Sequence, residues 1–352
     1  MDSRIRILIV FSFFVALIGY LKLQSSASTP KYALINYPLE KCAKSTETLA
    51  ALKAQSAQIL KRGQENAKLY DLKPAEAFKN INEVLLTHPN TIDAVKKAIE
   101  QKTHQFYVFS YYSDGLKVKG YLSVPNNVPG PIPLIILLRG GNRLLGLPIP
   151  DELSTTPGYA VLTTTYRGGV SEGTDEFGGK DVHDVINLLD NIPLLEKNHK
   201  IKFHEKNKYL IGVSRGAMEL FLALNRYPEI QNKIRKVVSI SGLLDLDVEI
   251  KIRKDFKDML IENFGLKEGE HAKAWIANRN PVQNIGRISK SLPIMIVQGT
   301  DDTRICLKEG YDMLQALHDK GHTVTYVEIE GGDHALNNTP DFISVLLDWL
   351  EQ

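Results

Sequence analysis

A Gly-x-Ser-x-Gly pentapeptide at residues 212–216 constrains the fold of this chain more than any other feature. It follows an apolar, β-prone run over 209–213 and precedes a run over 217–225 whose apolar residues have helical spacing. In an α/β fold, a tight strand-to-helix turn of this kind holds a serine in a strained conformation that requires small neighbours. We therefore predict that Gly212 and Gly216 form a nucleophile elbow around Ser214.

An activated serine requires a base and an acid that orients the base, and in this fold they follow the serine in the order acid, then histidine. The apolar run 293–298 predicts a buried parallel strand that leads into Asp301 and Asp302. The next alternating run, 323–329, leads into a glycine loop with His334. The carboxyl ends of parallel strands share one edge, so these groups are expected near Ser214. Spacing alone does not decide whether Asp301 or Asp302 is the acid.

The other histidines are weaker candidates for the base. His183 lies on a predicted helix before the nucleophile, and His318 and His322 flank a predicted helix end. That pair has the i, i+4 spacing of metal ligands but lacks a nearby third ligand, so we predict solvated surface histidines. We predict no metal and no organic cofactor.

Several ordered segments are similar to the catalytic domain of the prolyl oligopeptidase family of serine hydrolases. Besides 212–216, they are Tyr-Arg-Gly at 166–168, the segments 172–173, 177–179 and 181–185, Asn-Arg-Asn-Pro at 278–281, and Gly-x-x-Asp-x-x-Ile at 299–305. The resemblance covers 104–352 and implies an α/β-hydrolase fold with a mostly parallel sheet flanked by helices. Its register implies Asp302, rather than Asp301, as the acid that acts with Ser214 and His334.

The loop expected to bind the oxyanion departs from the family pattern. Many relatives have His-Gly-Gly after the third strand, whereas this chain has Arg-Gly-Gly at 139–141. Because both glycines remain, we expect a backbone N–H of Gly140 or Gly141 to act with that of Arg215. The Arg215 side chain has no assigned role and could contact an acidic substrate group. Arg167 is expected to bridge to an aspartate at 181 or 184.

The chain is long enough for one large α/β domain, since it has 352 residues, of which 43% are hydrophobic. Its formal net charge of +2 and the lack of a basic patch or nucleic-acid motif give no reason to expect a nucleic-acid partner. A helical extension is predicted over 38–101, with helices at 48–69, 74–86 and 91–101. It is too short to be the β-propeller of large family members.

A helical insertion is predicted over about 245–279. Its apolar residues either line a pocket or pack on the sheet, and the pattern favours neither. The extension or the insertion could also cover the site as a lid.

The N-terminus has the pattern of an export segment. Arg4 and Arg6 precede an apolar run over 7–21, and a polar stretch of small residues follows it. We predict a signal peptide over 1–27 cleaved after Ala27, or membrane attachment through 5–21, with an exported catalytic domain in both cases. In an oxidising compartment, Cys42 and Cys306 form either a bridge or two separate thiols.

The resemblance implies acyl transfer to Ser214 from a peptide, followed by hydrolysis. A carboxylesterase with the same residues is the first alternative, because both substrates pass through the same tetrahedral intermediate. A catalytically silent hydrolase-like binding protein is the second. The expected partner is thus a peptide or acyl-ester substrate, and the sequence does not specify an oligomeric state.

Overall fold

The computed structural model describes residues 5–10, 37–42, 49–73, 76–339 and 341–352. Within them, ten strands form one sheet in the order β1-β10-β9-β8-β7-β5-β6-β4-β3-β2. In chain order these are β1 (Ile5–Val10), β2 (Phe78–Asn80), β3 (His104–Ser113), β4 (Leu116–Pro125), β5 (Ile132–Leu138), β6 (Ala160–Thr164), β7 (Phe203–Val213), β8 (Lys236–Ile240), β9 (Ile294–Gly299) and β10 (Val324–Ile329). The strands β6, β5, β7, β8, β9 and β10 pair in parallel, which confirms the predicted sheet.

Helices cover both faces of this sheet. They are α1 (Leu39–Cys42), α2 (Leu49–Ala67), α3 (Asn82–Thr87), α4 (Asp93–Glu100), α5 (Val182–His199), α6 (Arg215–Arg226), α7 (Leu246–Ile252), α8 (Lys254–Phe264), α9 (Glu270–Ala277), α10 (Leu307–Asp319) and α11 (Phe342–Glu351). In β5, Leu134 and Ile136 join one buried cluster while Ile135 and Leu137 join the other. Successive strand residues face opposite sides, so a strand buried on both faces has a continuous apolar sequence.

The N-terminal extension is less uniformly helical than predicted. The helices α2 and α4 lie at their predicted positions, but the helix predicted over 74–86 is wrong in its first half. Phe78–Asn80 instead forms β2, which pairs antiparallel with β3, and the Phe78 ring stacks on Tyr107 with centroids 4.5 Å apart. Pairing with a free sheet edge outweighs local helical periodicity there.

The predicted export segment, 1–27, falls largely outside the described residues. Its described part, Ile5–Val10, is not helical but forms β1, an antiparallel edge strand beside β10. No helix in the described part of the chain is both long and apolar enough to span a bilayer. Signal cleavage and membrane attachment through 5–21 therefore stay predictions.

The two cysteines form a disulfide, which decides between the alternatives left open by the sequence. Cys42, at the end of α1, is bonded to Cys306, with an S–S distance of 2.00 Å. Cys306 directly precedes α10, and its Sγ accepts the N–H of Lys308. The extension is therefore covalently attached to the loop that follows β9.

Candidate active site

Ser214 occupies the sharp turn between β7 and α6. Its backbone has φ 55° and ψ −122°, a conformation that non-glycine residues rarely adopt. The Ser214 N–H donates to the carbonyl of Ile240, at the end of β8, over 3.0 Å. The Ser214 carbonyl accepts from the N–H groups of Ala217 and Leu243, each at 3.0 Å. These three bonds hold the strained turn against the neighbouring strand and the loop after it.

Three glycines allow the backbone to pack closely around this serine. A Cβ at position 212 would lie 2.4 Å from the carbonyl oxygen of Gly216, and one at position 216 would lie 1.9 Å from that of Leu138. A Cβ at position 140 would lie 2.9 Å from the Ser214 Cβ. Side chains are therefore sterically excluded at Gly212, Gly216 and Gly140.

Asp302 and His334 meet at the carboxyl end of the sheet. The Nδ1 of His334 lies 2.9 Å from Oδ2 of Asp302. The other oxygen of Asp302 accepts the backbone N–H groups of Arg304 and Ile305 at 2.8 and 2.9 Å. The Asp302 side chain is only 1% exposed, and that of His334 is 24% exposed. Asp301 is exposed, and in the described structure its carboxylate does not contact the imidazole.

Ser214 and His334 line the same cavity, of about 500 Å³, together with Gly140, Gly141 and Arg215. The structure thus brings together every residue singled out for chemistry, with Asp302 behind the histidine. Within the described residues no hydrogen bond joins Ser214 to His334. Contacts of this kind are often long in ligand-free enzymes and shorten when substrate binds.

The loop after β5, residues 139–146, is fixed by the buried side chain of Arg139. Its guanidinium makes hydrogen bonds of 2.8–3.2 Å to four backbone carbonyls. They belong to Gly140, Arg143, Leu145 and Thr165. A fork of N–H donors can bind several carbonyls at once, so this arginine fixes the loop where many relatives have a histidine.

The Arg215 side chain is buried beneath the site and is not available to a substrate. It pairs with Asp175 at 2.8 Å, with Glu219 at 3.0 Å and with Asp181. It also donates to the carbonyl of Gly141 at 3.0 Å. Burial opposes its charge, but these carboxylates raise the pKa of Arg215 well above its usual value. The suggested contact with an acidic substrate group is therefore wrong.

Three carboxyl groups surround the single guanidinium of Arg215. Burial and the nearby Asp181 raise the pKa of Glu219 well above its usual value, because a second buried negative charge beside Asp181 is unfavourable.

The predicted bridge from Arg167 is confirmed for one of its two candidate partners. Arg167 binds Asp184, with its Nη2 2.8 Å from Oδ1, and also contacts Asp114. Asp181 instead binds Arg215.

Tyr166 contacts two buried arginines, since the guanidinium carbons of Arg139 and Arg215 lie 5.3 and 5.0 Å from its ring centroid.

Both alternatives for the helical insertion occur. Phe256 and Met259, both on α8, contribute to the cavity wall, as does Glu249 of α7. Leu260, Phe264 and Trp275 instead pack in or against the main core cluster.

Burial raises the pKa of Glu249 to about 7, although Arg253 opposes the shift. Burial and Glu249 together raise the pKa of Glu309, whose Oε2 accepts two backbone N–H groups. Local sequence gives no signal for this acid pair, because its members lie on separate helices.

One expectation about the remaining histidines is wrong. His318 is half-exposed beside Asp319, but His322 is only 3% exposed, because it lies where the chain turns from α10 into β10. Among the described residues no cluster of histidine, cysteine and acidic side chains could hold a metal ion.

The parallel sheet, the elbow serine and the strand-end aspartate and histidine define an α/β-hydrolase. The profile of the prolyl oligopeptidase family matches residues 152–352. The chain therefore belongs to the prolyl oligopeptidase family and is a serine-type peptidase.

Its relatives are distant in sequence. The uncharacterized peptidase YtmA of Bacillus subtilis is 26% identical over 63% of this chain and 84% of its own length. Dipeptidyl aminopeptidase BIII of Pseudoxanthomonas mexicana is 25% identical over 68% of this chain, and the mouse acylamino-acid-releasing enzyme is 24% identical over the same share. The matches span only 37% and 34% of those two enzymes.

Solved structures show the same fold. An acylaminoacyl peptidase bound to Z-Gly-Gly-Phe-chloromethyl ketone has a TM-score of 0.58 at 16% identity and covers 73% of this chain and 43% of its own. The acylaminoacyl peptidase of Pyrococcus horikoshii has a TM-score of 0.54 at 18% identity, covering 68% and 39% of the two chains.

Proposed function

We propose that this peptidase hydrolyses peptide bonds through an acyl-enzyme on Ser214. The observation that carries the proposal is that Ser214, in its strained turn, shares a cavity with His334. The Nδ1 atom of His334 is held by Asp302. His334 takes the proton of the attacking hydroxyl and then delivers it to the leaving amine. Asp302 fixes the imidazole tautomer and stabilises its positive charge.

Negative charge that develops on the carbonyl oxygen is stabilised by backbone N–H groups. The donors are Arg215, at the start of α6, and Gly140 or Gly141 in the loop fixed by Arg139. The N-terminus of α6 adds a favourable dipole. Water then attacks the acyl-enzyme, with His334 again as the base, and releases the acid.

A peptide is favoured over a simple ester as the substrate. Two relatives are named as a dipeptidyl aminopeptidase and an acylamino-acid-releasing enzyme, names that describe the release of residues from peptides. The cavity also combines apolar side chains with the charged groups Glu249, Arg253 and Asp255, which suit the mixed polarity of a peptide.

Labelling of the full-length chain by a fluorophosphonate tests this function. Covalent labelling that disappears in Ser214→Ala and after heat denaturation is expected. A matched series of peptide amides and short acyl esters then separates peptidase from carboxylesterase activity. A folded protein that is not labelled and hydrolyses neither series would be a silent binding protein, contrary to the proposal.

We further propose that the protein is exported. Arg4 and Arg6 followed by the apolar run support this, and so does the Cys42–Cys306 bond, because disulfides persist in oxidising compartments. Mass spectrometry of the N-terminus after expression in exporting cells tests the cleavage site. A chain that starts at Ser28 would have lost β1, whereas an intact chain in the membrane fraction would indicate an anchor.

A further inference from the structure

The helix α2 of the N-terminal extension forms part of the cavity wall and is attached to the catalytic domain at two places along its length. In its N-terminal half, Oε1 of Gln55 accepts hydrogen bonds from Nε and Nη2 of Arg304, at 3.2 and 2.7 Å. Arg304 lies two residues after Asp302, in the loop whose N–H groups hold that carboxylate. The N-terminal half of α2 is therefore attached to the acid loop.

The C-terminal half of α2 is attached to a different part of the site, the chain that follows β5. A Cβ at Gly63 would lie 1.8 Å from the carbonyl oxygen of Leu144, so only glycine permits this approach. Three residues later, Asn66 donates to the carbonyl of Leu147 at 2.9 Å. These contacts attach α2 to the loop that follows β5 and its continuation.

Between its two attachments, α2 forms part of the cavity wall. Ser56 and Ile59 line the cavity together with Phe256 and Met259 of α8, against which α2 packs. Gln55, Ile59, Gly63 and Asn66 follow the i, i+4, i+8, i+11 spacing of one helical face. A single face of α2 therefore makes both attachments and presents Ile59 to the substrate space.

The disulfide adds a covalent attachment to the same side as Gln55. Cys42 precedes α2 in the chain, and its partner Cys306 lies four residues after Asp302. The bond thus limits how far the extension can move from the acid loop.

We propose that α2 is a strap that restricts this peptidase to short peptides, with Ile59 as a residue that determines substrate size. This inference rests on the proposed function, because α2 lines the cavity that contains Ser214. The volume of the cavity, about 500 Å³, is that of a site for a small organic ligand. A peptide of a few residues fits such a space, and a longer chain has to pass Ile59 and α8.

Substitution of Ile59 tests the size limit directly. Activity is measured on N-acyl peptides that share a scissile bond and increase from two to eight residues. Ile59→Ala is expected to raise kcat/KM for long relative to short peptides by about tenfold or more, since one methylene in an apolar pocket already changes kcat/KM by about tenfold. Ile59→Trp is expected to shift the ratio the other way. Leu60→Ala is the matched control, because Leu60 is the next residue on α2 and is 41% exposed.

Release of the disulfide provides a second test that does not change the cavity lining. The Cys42→Ser, Cys306→Ser double variant retains a capping oxygen before α10 and is expected to shift the length ratio in the same direction as Ile59→Ala. Treatment of the wild type with dithiothreitol, which converts the disulfide to two thiols and is itself oxidised to a cyclic disulfide, is expected to reproduce that shift.

Binding to Ser214→Ala separates this inference from the proposed function. Calorimetry with the same peptides measures length dependence without catalysis, and Ile59→Ala in that background is expected to favour longer peptides. If the fluorophosphonate does not label the wild type, the proposed chemistry is wrong. The binding test of the strap can still be carried out in that case. An unchanged length dependence in the Ile59 and cysteine variants would overturn the strap.

Discussion

Oδ2 of Asp302 lies 2.9 Å from Nδ1 of His334, while the adjacent Asp301 is exposed to solvent. Asp302→Asn is expected to lower kcat about 10⁴-fold, because an amide no longer fixes the productive imidazole tautomer. Asp301→Asn, the matched control, is expected to retain near wild-type activity. Steady-state kinetics with circular dichroism as a folding check measures both. Full activity in Asp302→Asn together with a folded, inactive Asp301→Asn would reverse the assignment.

Gly140 packs directly against the nucleophile. In Gly140→Ala the new methyl would lie 2.9 Å from the Ser214 Cβ, so the serine or the oxyanion loop has to move. We expect kcat to fall by about 10² or more, the effect of losing one oxyanion donor. Gly286→Ala is the control, because its added methyl meets no atom within 4 Å. Equal activity in the two alanine variants would show that the close packing is irrelevant to the reaction.

Arg139 positions the loop after β5 from a buried position behind the cavity lining. Lysine retains the charge but loses the planar fork, so Arg139→Lys is expected to lower kcat about tenfold or more with little change in KM. Arg226→Lys is the matched control, since Arg226 also donates to backbone carbonyls, those of Gly178 and Asn278. Kinetics and thermal unfolding of both variants test this. A loss of stability in Arg139→Lys without a loss of kcat would limit its role to folding.

Glu249 makes the stability of the protein depend on pH. Its pKa is raised from 4.5 to about 7, mainly by burial, with Asp255 adding to the shift and Arg253, Glu309 and His334 opposing it. Between these values the folded state retains a proton that the unfolded state loses. The contribution of this proton to the free energy of unfolding is therefore complete below pH 4.5 and is lost as pH rises to about 7.

Glu249→Gln is expected to remove this dependence. The free energy of unfolding of wild type relative to the variant should fall by about 1.4 kcal/mol per pH unit over that window. Urea unfolding at several pH values measures it. Glu262→Gln, which removes an exposed carboxylate from α8, is the matched control. A flat difference for Glu249→Gln would mean that the carboxyl is ionised throughout.

The sequence predicted the parallel strands because burial on both faces leaves a local signature, the unbroken apolar run. β5 and β9 are clear cases. β2 left no such signature, since its three residues are defined by pairing with β3, a non-local interaction. The order of the motifs in the sequence was enough to identify Ser214, Asp302 and His334. The distance between Asp302 and His334 became known only from the folded structure.

Local sequence patterns could not predict the long-range contacts for the same reason. Cys42 and Cys306 are 264 residues apart, and their spacing contains no information about proximity. Asp181 and Asp184 lie one helical turn apart beside two buried arginines, so sequence could not tell which arginine each one binds. Ile59 is an ordinary apolar residue of an amphipathic helix until α8 is placed opposite it.

The strand β2 closes the side of the sheet that β3 would otherwise expose. The N–H of Ser110 donates to the carbonyl of Ala77, and the N–H of Ile81 donates to that of Phe106, both at 2.9 Å. A chain shortened to residues 104–352 would leave these backbone groups unpaired along a hydrophobic edge, which is a template for association between molecules. The extension therefore protects part of this edge from pairing with another molecule, through the three residues of β2 that pair with β3.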